Sequence, residues 1–125
     1  MIHVGTSGYN YPEWKGRFYP EKMAASAMLP YYAGVFDTVE INYTFYRMPT
    51  AALVEGWAAQ VPEGFTFTLK TPKRITHDRR LQDVADPLRA FCAAAAALGP
   101  RLGCVLVQLN PHFKCDAPRL QAFID

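Results

Sequence analysis

Residues 38–46 read TVEINYTFY. Its apolar and polar residues alternate, which is the period of a β-strand whose side chains leave on opposite faces. One row holds Val39, Ile41, Tyr43 and Phe45, and the other holds Glu40, Asn42, Thr44 and Tyr46. The polar row of an otherwise buried element thus carries a carboxylate and an amide. Burying a lone carboxylate costs several kcal/mol, so a partner charge, a ligand or solvent has to offset it.

Strand and helix patterns alternate outward from this segment. IHVGTS (2–7) reads as a first strand, FTFTLK (65–70) as a third and LGCVLVQLN (102–110) as a fourth. A helical stretch carries Leu29, Tyr32, Ala33 and Phe36 at spacings of three and four. Thr50 caps the next helix, with Leu53, Trp57 and Val61 on one stripe. Asp86 reads as the N-cap of a third helix, Pro87 suits its first position and Gly99-Pro100 stops it. Asp116 and Pro118 open a fourth helix through LQAFI. Four βα units in succession predict a parallel sheet, because each crossover helix returns the chain to the same end.

Side-chain parity narrows the architecture. Phe65, Phe67 and Leu69 oppose Thr66, Thr68 and Lys70; Val105, Val107 and Leu109 oppose Cys104, Leu106, Gln108 and Asn110. A doubly wound sheet is apolar on both faces. One polar row per strand fits the interior of a βα barrel, whose working groups lie at the C-terminal strand ends. The expected fold is therefore α/β and TIM-barrel-like, with four of eight βα units present. Residues 1–125 form one domain, truncated on its C-terminal side and prone to self-association through its open edges. Glu40, Asn42, Lys70 and Gln108 share the polar parity, and two readings stand: a structural Glu40–Lys70 ion pair, or a ligand site.

Composition fits a globular chain: 50% of residues are hydrophobic and 19% charged, and the net charge is +2. There is no signal-peptide progression and no apolar run near the ~20 residues that span a bilayer, so a cytoplasmic location and no membrane partner are expected. Cys92, Cys104 and Cys115 show no CxxC spacing and read as reduced, partly buried thiols.

The loop KTPKRITHDRR (70–80) gathers five of the chain's 13 Lys and Arg residues. On the catalytic face of a barrel, such charge suits a phosphate-bearing small molecule or a nucleic-acid backbone; a solvated loop looks the same in sequence. Lys73 and Arg74 are the candidate anion contacts, and His77 is a candidate acid or base. The first loop interleaves Tyr9, Tyr11, Trp14, Phe18 and Tyr19 with Lys15 and Arg17. Tyr9 and Trp14 could stack on a base or sugar, although aromatics that pin a long loop give the same pattern. His3 reads as structural. A metal set of Glu40, His77 and His112 is conceivable, but no HxH, HExxH or DxD spacing supports it, and no cofactor motif is present.

GTSGY (5–9), YPEWKGRFYP (11–20), LPYYAGVFDTVEINYTFYRMP (29–49), Lys70 followed by ITH (75–77), and GCVLVQLNP (103–111) together resemble the YecE-like family, domain of unknown function 72. The resemblance runs in order over essentially the whole chain. It implies a TIM-barrel-like fold and no settled activity. The family's typical QLPP is replaced here by Gln108-Leu109-Asn110-Pro111.

On this reading, Glu40, Lys70 and His77 would be catalytic. Asn42, Gln108, Lys73, Arg74, Tyr9 and Trp14 would bind a polar anionic substrate. The alternative is a non-catalytic nucleic-acid-binding protein that uses the same loops.

Overall fold

The computed structural model describes residues 1–125. Four parallel strands form one sheet in sequential order: β1 (Gly5–Ser7), β2 (Thr38–Ile41), β3 (Thr66–Lys70) and β4 (Leu102–Leu106). The helices are α1 (Met28–Ala33), a single turn α2 (Tyr43–Tyr46), α3 (Ala51–Ala58), α4 (Ala85–Ala96) and α5 (Ala117–Ile124). The chain is an α/β fold with β1 and β4 as the two sheet edges.

The apolar rows lie where the alternation puts them. Val39, Ile41, Phe67 and Leu69 are buried against Met28, Leu29 and Tyr32 of α1, Val54 and Trp57 of α3, and Phe91 and Ala95 of α4. Each such side chain contributes about 1.5–3 kcal/mol on removal from water. The buried Tyr32 hydroxyl staples the edge: it accepts from the Thr6 N–H at 2.8 Å and donates to the Thr38 carbonyl at 2.9 Å. Gly5 permits this closeness, because a Cβ there would collide with the Thr38 carbonyl oxygen.

All four strands are present; β3 is shorter by one residue than its alternation suggests, and the other three by more. The segment 38–46 is a strand only to Ile41. Asn42 then turns into the right-handed helical region, and residues 43–46 form α2. The physical reason is Thr44, fully buried, whose hydroxyl donates to the Lys70 carbonyl at 2.6 Å and lies 3.2 Å from that of Ile41. It satisfies the carbonyls where β2 and β3 stop, so the expected rows beyond Ile41 do not exist. β1 starts at Gly5 because its partner β2 starts at Thr38, and Ile2 and Val4 are left exposed. β4 ends at Leu106, where β3 has no further residue to pair. Val107 and Leu109 instead pack on a satellite cluster of Ile75, Leu81 and Val84. Gly103 is the extra residue of a bulge between Phe67 and Thr68.

The Thr50 and Asp116 caps hold: their side chains accept from the N–H groups of Leu53 and Arg119. Asp86 does not cap α4. Buried Val84 takes that place, α4 starts at Ala85, and Asp86 pairs with Arg89 at 3.0 Å within the first turn. The three cysteines are free and exposed rather than partly buried, because none falls on a core-facing position. No helix is long and apolar enough to cross a membrane.

Candidate functional site

Parallel pairing sets equivalent side chains level with one another. Ser7 lies opposite Glu40, Glu40 opposite Thr68, and Thr68 opposite Cys104. These four make a single polar rung across the whole sheet, on the face turned away from the core. Ser7 Oγ donates to Glu40 Oε1 at 3.1 Å, and Thr68 Oγ1 lies 3.1 Å from Cys104 Sγ. One rung down, Thr66 Oγ1 donates to Thr38 Oγ1 at 3.1 Å. The half-buried Glu40 carboxylate receives this one side-chain donor and forms no ion pair, so most of its acceptor capacity is unused by the protein.

Lys70 does not pair with Glu40. It lies two residues beyond Glu40's register partner, at ~3.3 Å per residue along the strand. Its Nζ sits over the Phe45 ring, 4.2 Å from the centroid. His77 also meets Phe45, with the two rings nearly perpendicular and 5.0 Å between centroids. His77 Nδ1 is 2.8 Å from Thr76 Oγ1. Residues 45, 70 and 77 therefore converge at the C-terminal end of the sheet. Phe45 was invisible as a site residue in the sequence, because the continued alternation assigned it to the core row.

The remaining candidates are spread around this centre. Asn42 lines a cleft of about 370 Å3 with Tyr9, Tyr11, Tyr43, Tyr46 and Trp57, and its Oδ1 is buried without a hydrogen-bond partner. Burial in the same region raises the Tyr9 phenol above its ordinary pKa. Gly8, at φ +79, turns the chain into this wall while its N–H donates to the Glu40 carbonyl at 2.7 Å. Trp14 is packed into an aromatic group, 4.8 Å from Tyr11, 5.8 Å from Phe18 and 5.9 Å from Tyr19 between centroids, as a loop-pinning residue would be. Gln108 lies past the end of β4 and is exposed, off the strand row on which its parity placed it.

Lys73 and Arg74 are exposed at the start of a π-helical turn, Arg74–Asp78, closed by the Arg79 N–H donating to the Arg74 carbonyl at 3.1 Å. Such turns occur often at functional sites. The chain leaves it through three non-glycine residues in the left-handed region: Arg80 (φ 49), Leu81 (φ 67) and Asp83 (φ 51). Each costs on the order of 1–3 kcal/mol, and strain of this kind concentrates at functional sites. Leu81 supplies the anchor that holds it, buried against Ile75 and Val84.

His3 bonds Asp37 at 2.9 Å at the opposite end of the strands, as a structural residue would. Glu40, His77 and His112 do not converge, and no group of three or more His, Cys, Asp or Glu residues is placed to hold a metal ion.

Known proteins share both sequence and architecture. The chain is 30% identical over its whole length to the UPF0759 protein YecE of Escherichia coli (strain K12), covering 44% of it. It is 31% identical over 92% of its length to the UPF0759 protein YunF of Bacillus subtilis (strain 168), covering 42% of that protein. A DUF72 family protein from Thermotoga maritima superposes with a TM-score of 0.81 and 33% identity, over 97% of this chain and 49% of that one. A second, from Enterococcus faecalis, gives a TM-score of 0.65 at 26% identity, over 82% of this chain and 43% of that one. The chain thus spans less than half the length of the relatives it matches. The family model described as "Protein of unknown function DUF72" matches residues 3–125, and the chain belongs to the DUF72 family.

Proposed function

We propose that residues 1–125 are one TIM-barrel-like domain in part, contributing four βα units to a barrel enzyme that acts on a polar, phosphate-bearing substrate. The observation that carries this reading is the polar rung Ser7–Glu40–Thr68–Cys104. It lies on the uncovered face of a sequentially ordered parallel sheet, with Lys70 and His77 at the C-terminal strand ends where barrel enzymes work. Glu40 serves as general base or charge partner, since most of its acceptor capacity is unused by the protein. Lys70 and His77 hold the anion or supply a proton. Asn42, Gln108 and Tyr9 orient the substrate, Lys73 and Arg74 attract it, and Trp14 supports the wall of the loop.

The experiment is a binding panel of sugar phosphates and nucleotides against the full-length protein and its Lys70→Met and His77→Gln variants. The reading requires saturable binding by at least one phosphate-bearing compound, weakened tenfold or more in either variant with the fold retained. Equal binding by all three proteins overturns it.

One observation favours a second reading. Lys73, Arg74, Arg79 and Arg80 are all exposed along one loop, as phosphate-backbone contacts would be. An oligonucleotide affinity that falls steeply with salt, at ~0.7–0.9 per phosphate contacted on logarithmic axes, and is indifferent to Lys70 and His77 would assign the chain to nucleic-acid binding.

A further inference from the structure

We infer a second anion subsite, for a further phosphate group of the substrate, in a small basic pocket between the loop after β3 and the loop after β4, formed by Arg80 and Lys114 with His112 and Arg119 beside them. This rests on the phosphate-bearing substrate proposed above and adds a subsite to the Lys70 and His77 site.

Two segments far apart in sequence build the pocket. Leu81 is buried in the satellite cluster, and Phe113 packs on the same cluster from the other loop. That shared anchor draws Arg80 against residues 112–119. Together, Arg80, His112, Phe113, Lys114, Asp116 and Arg119 line a cavity of about 230 Å3. Its size is below the ~300–1,000 Å3 of pockets for whole organic ligands and suits a single phosphate group.

The charge in the pocket is unbalanced. Three of the lining side chains are Arg or Lys, and Asp116 is the one carboxylate among them. Asp116 is already committed: Oδ1 caps α5 through the Arg119 N–H at 3.0 Å, and Oδ2 pairs with Arg119 Nε at 3.2 Å. Arg119 is further held over the Phe113 ring, 5.6 Å from its centroid. Arg80 and Lys114 have no carboxylate within 4.0 Å; the chain's three ion pairs involve other residues. Two unpaired cationic side chains facing one small cavity favour an anion there, and a phosphate dianion gains most from both. The end of α5 is already capped, so side chains rather than the helix terminus supply the contacts.

Arg80 also holds a left-handed backbone conformation, φ 49, where Asn and Gly are easier choices.

The test uses inorganic phosphate, titrated into the full-length protein by calorimetry at fixed ionic strength. Arg80→Asn suits the left-handed backbone and removes the cation; it is combined with Lys114→Gln. A second double variant, Lys15→Gln with Arg17→Gln, removes the same charge from the exposed first loop. The inference requires saturable binding that weakens tenfold or more in the Arg80/Lys114 variant, less than threefold in the Lys15/Arg17 variant, and persists in Lys70→Met. Three results overturn it: no saturation, equal loss in both double variants, or loss confined to Lys70→Met. The last would leave the Lys70 and His77 site standing as the phosphate site and remove only this pocket.

Discussion

Lys70 Nζ rests 4.2 Å from the centroid of the Phe45 ring and makes no ion pair with Glu40. This separates two residues that share a polar row on neighbouring strands. It leaves Glu40 with the Ser7 hydroxyl and gives Lys70 a neutral, apolar rest from which an anion can recruit it.

Replacing Lys70 by Met therefore strands no buried carboxylate. Breaking a buried ion pair costs about 3–5 kcal/mol, whereas a cation–π contact contributes about 0.5–2. Lys70→Met is expected to unfold in urea within about 2 kcal/mol of the parent. A loss above 3 kcal/mol would mean that an ionic partner had been removed.

Lys73 and Arg74 are exposed and unpaired. Replacing both by Ala is expected to leave stability within about ±0.5 kcal/mol per site, as for ordinary surface positions. The same variant should bind the phosphate-bearing panel more weakly. Parallel thermal melts and titrations check this, and unaltered affinity across the panel would remove these two residues from the site.

Tyr19 gives the fold an alkaline limit. Burial first, then the neighbouring Tyr32 and Tyr9 phenols, push its pKa from 10.0 up to about 12. The folded state favours the neutral phenol, so the stabilisation is whole below pH 10 and is lost as pH rises from 10 towards 12. Denaturation midpoints should hold steady to pH 9 and fall from pH 10 to 12. Tyr19→Phe should flatten that fall while losing about 1 kcal/mol at neutral pH, through the hydrogen bond from its hydroxyl to the Tyr9 carbonyl.

Open edges at β1 and β4, with Ile2, Val4 and Val105 exposed beside them, should make residues 1–125 associate when expressed alone. Sedimentation velocity should show species larger than the monomer, increasing with concentration. A monomer with a sharp, cooperative melt would contradict this.

Much of the fold was legible because it rests on local rules. Val39, Ile41, Phe67 and Leu69 alternate and are buried as the period requires; Thr50 and Asp116 cap their helices because their side chains reach the third residue on. Strand ends were not legible, because the partner strand sets them. Nothing in NYTFY states that Thr44 will cap the Lys70 carbonyl and turn the chain into a helix. The site divides the same way. The rung of Glu40 follows from parity, but the meeting of Lys70, Phe45 and His77 depends on that turn. The Arg80–Lys114 pocket depends on a left-handed loop that residue preferences oppose.

On the function proposed above, Glu40 serves a ligand and not the fold, and a thermal melt of Glu40→Gln in the full-length protein checks this. Gln keeps an oxygen to accept from Ser7 Oγ and removes only the charge. Because sites of this kind sacrifice stability for function, the variant should melt within about 1 kcal/mol of the parent, or above it. A loss of about 3–5 kcal/mol, the mark of a broken buried charge pair, would return Glu40 to a structural role and contradict the claim.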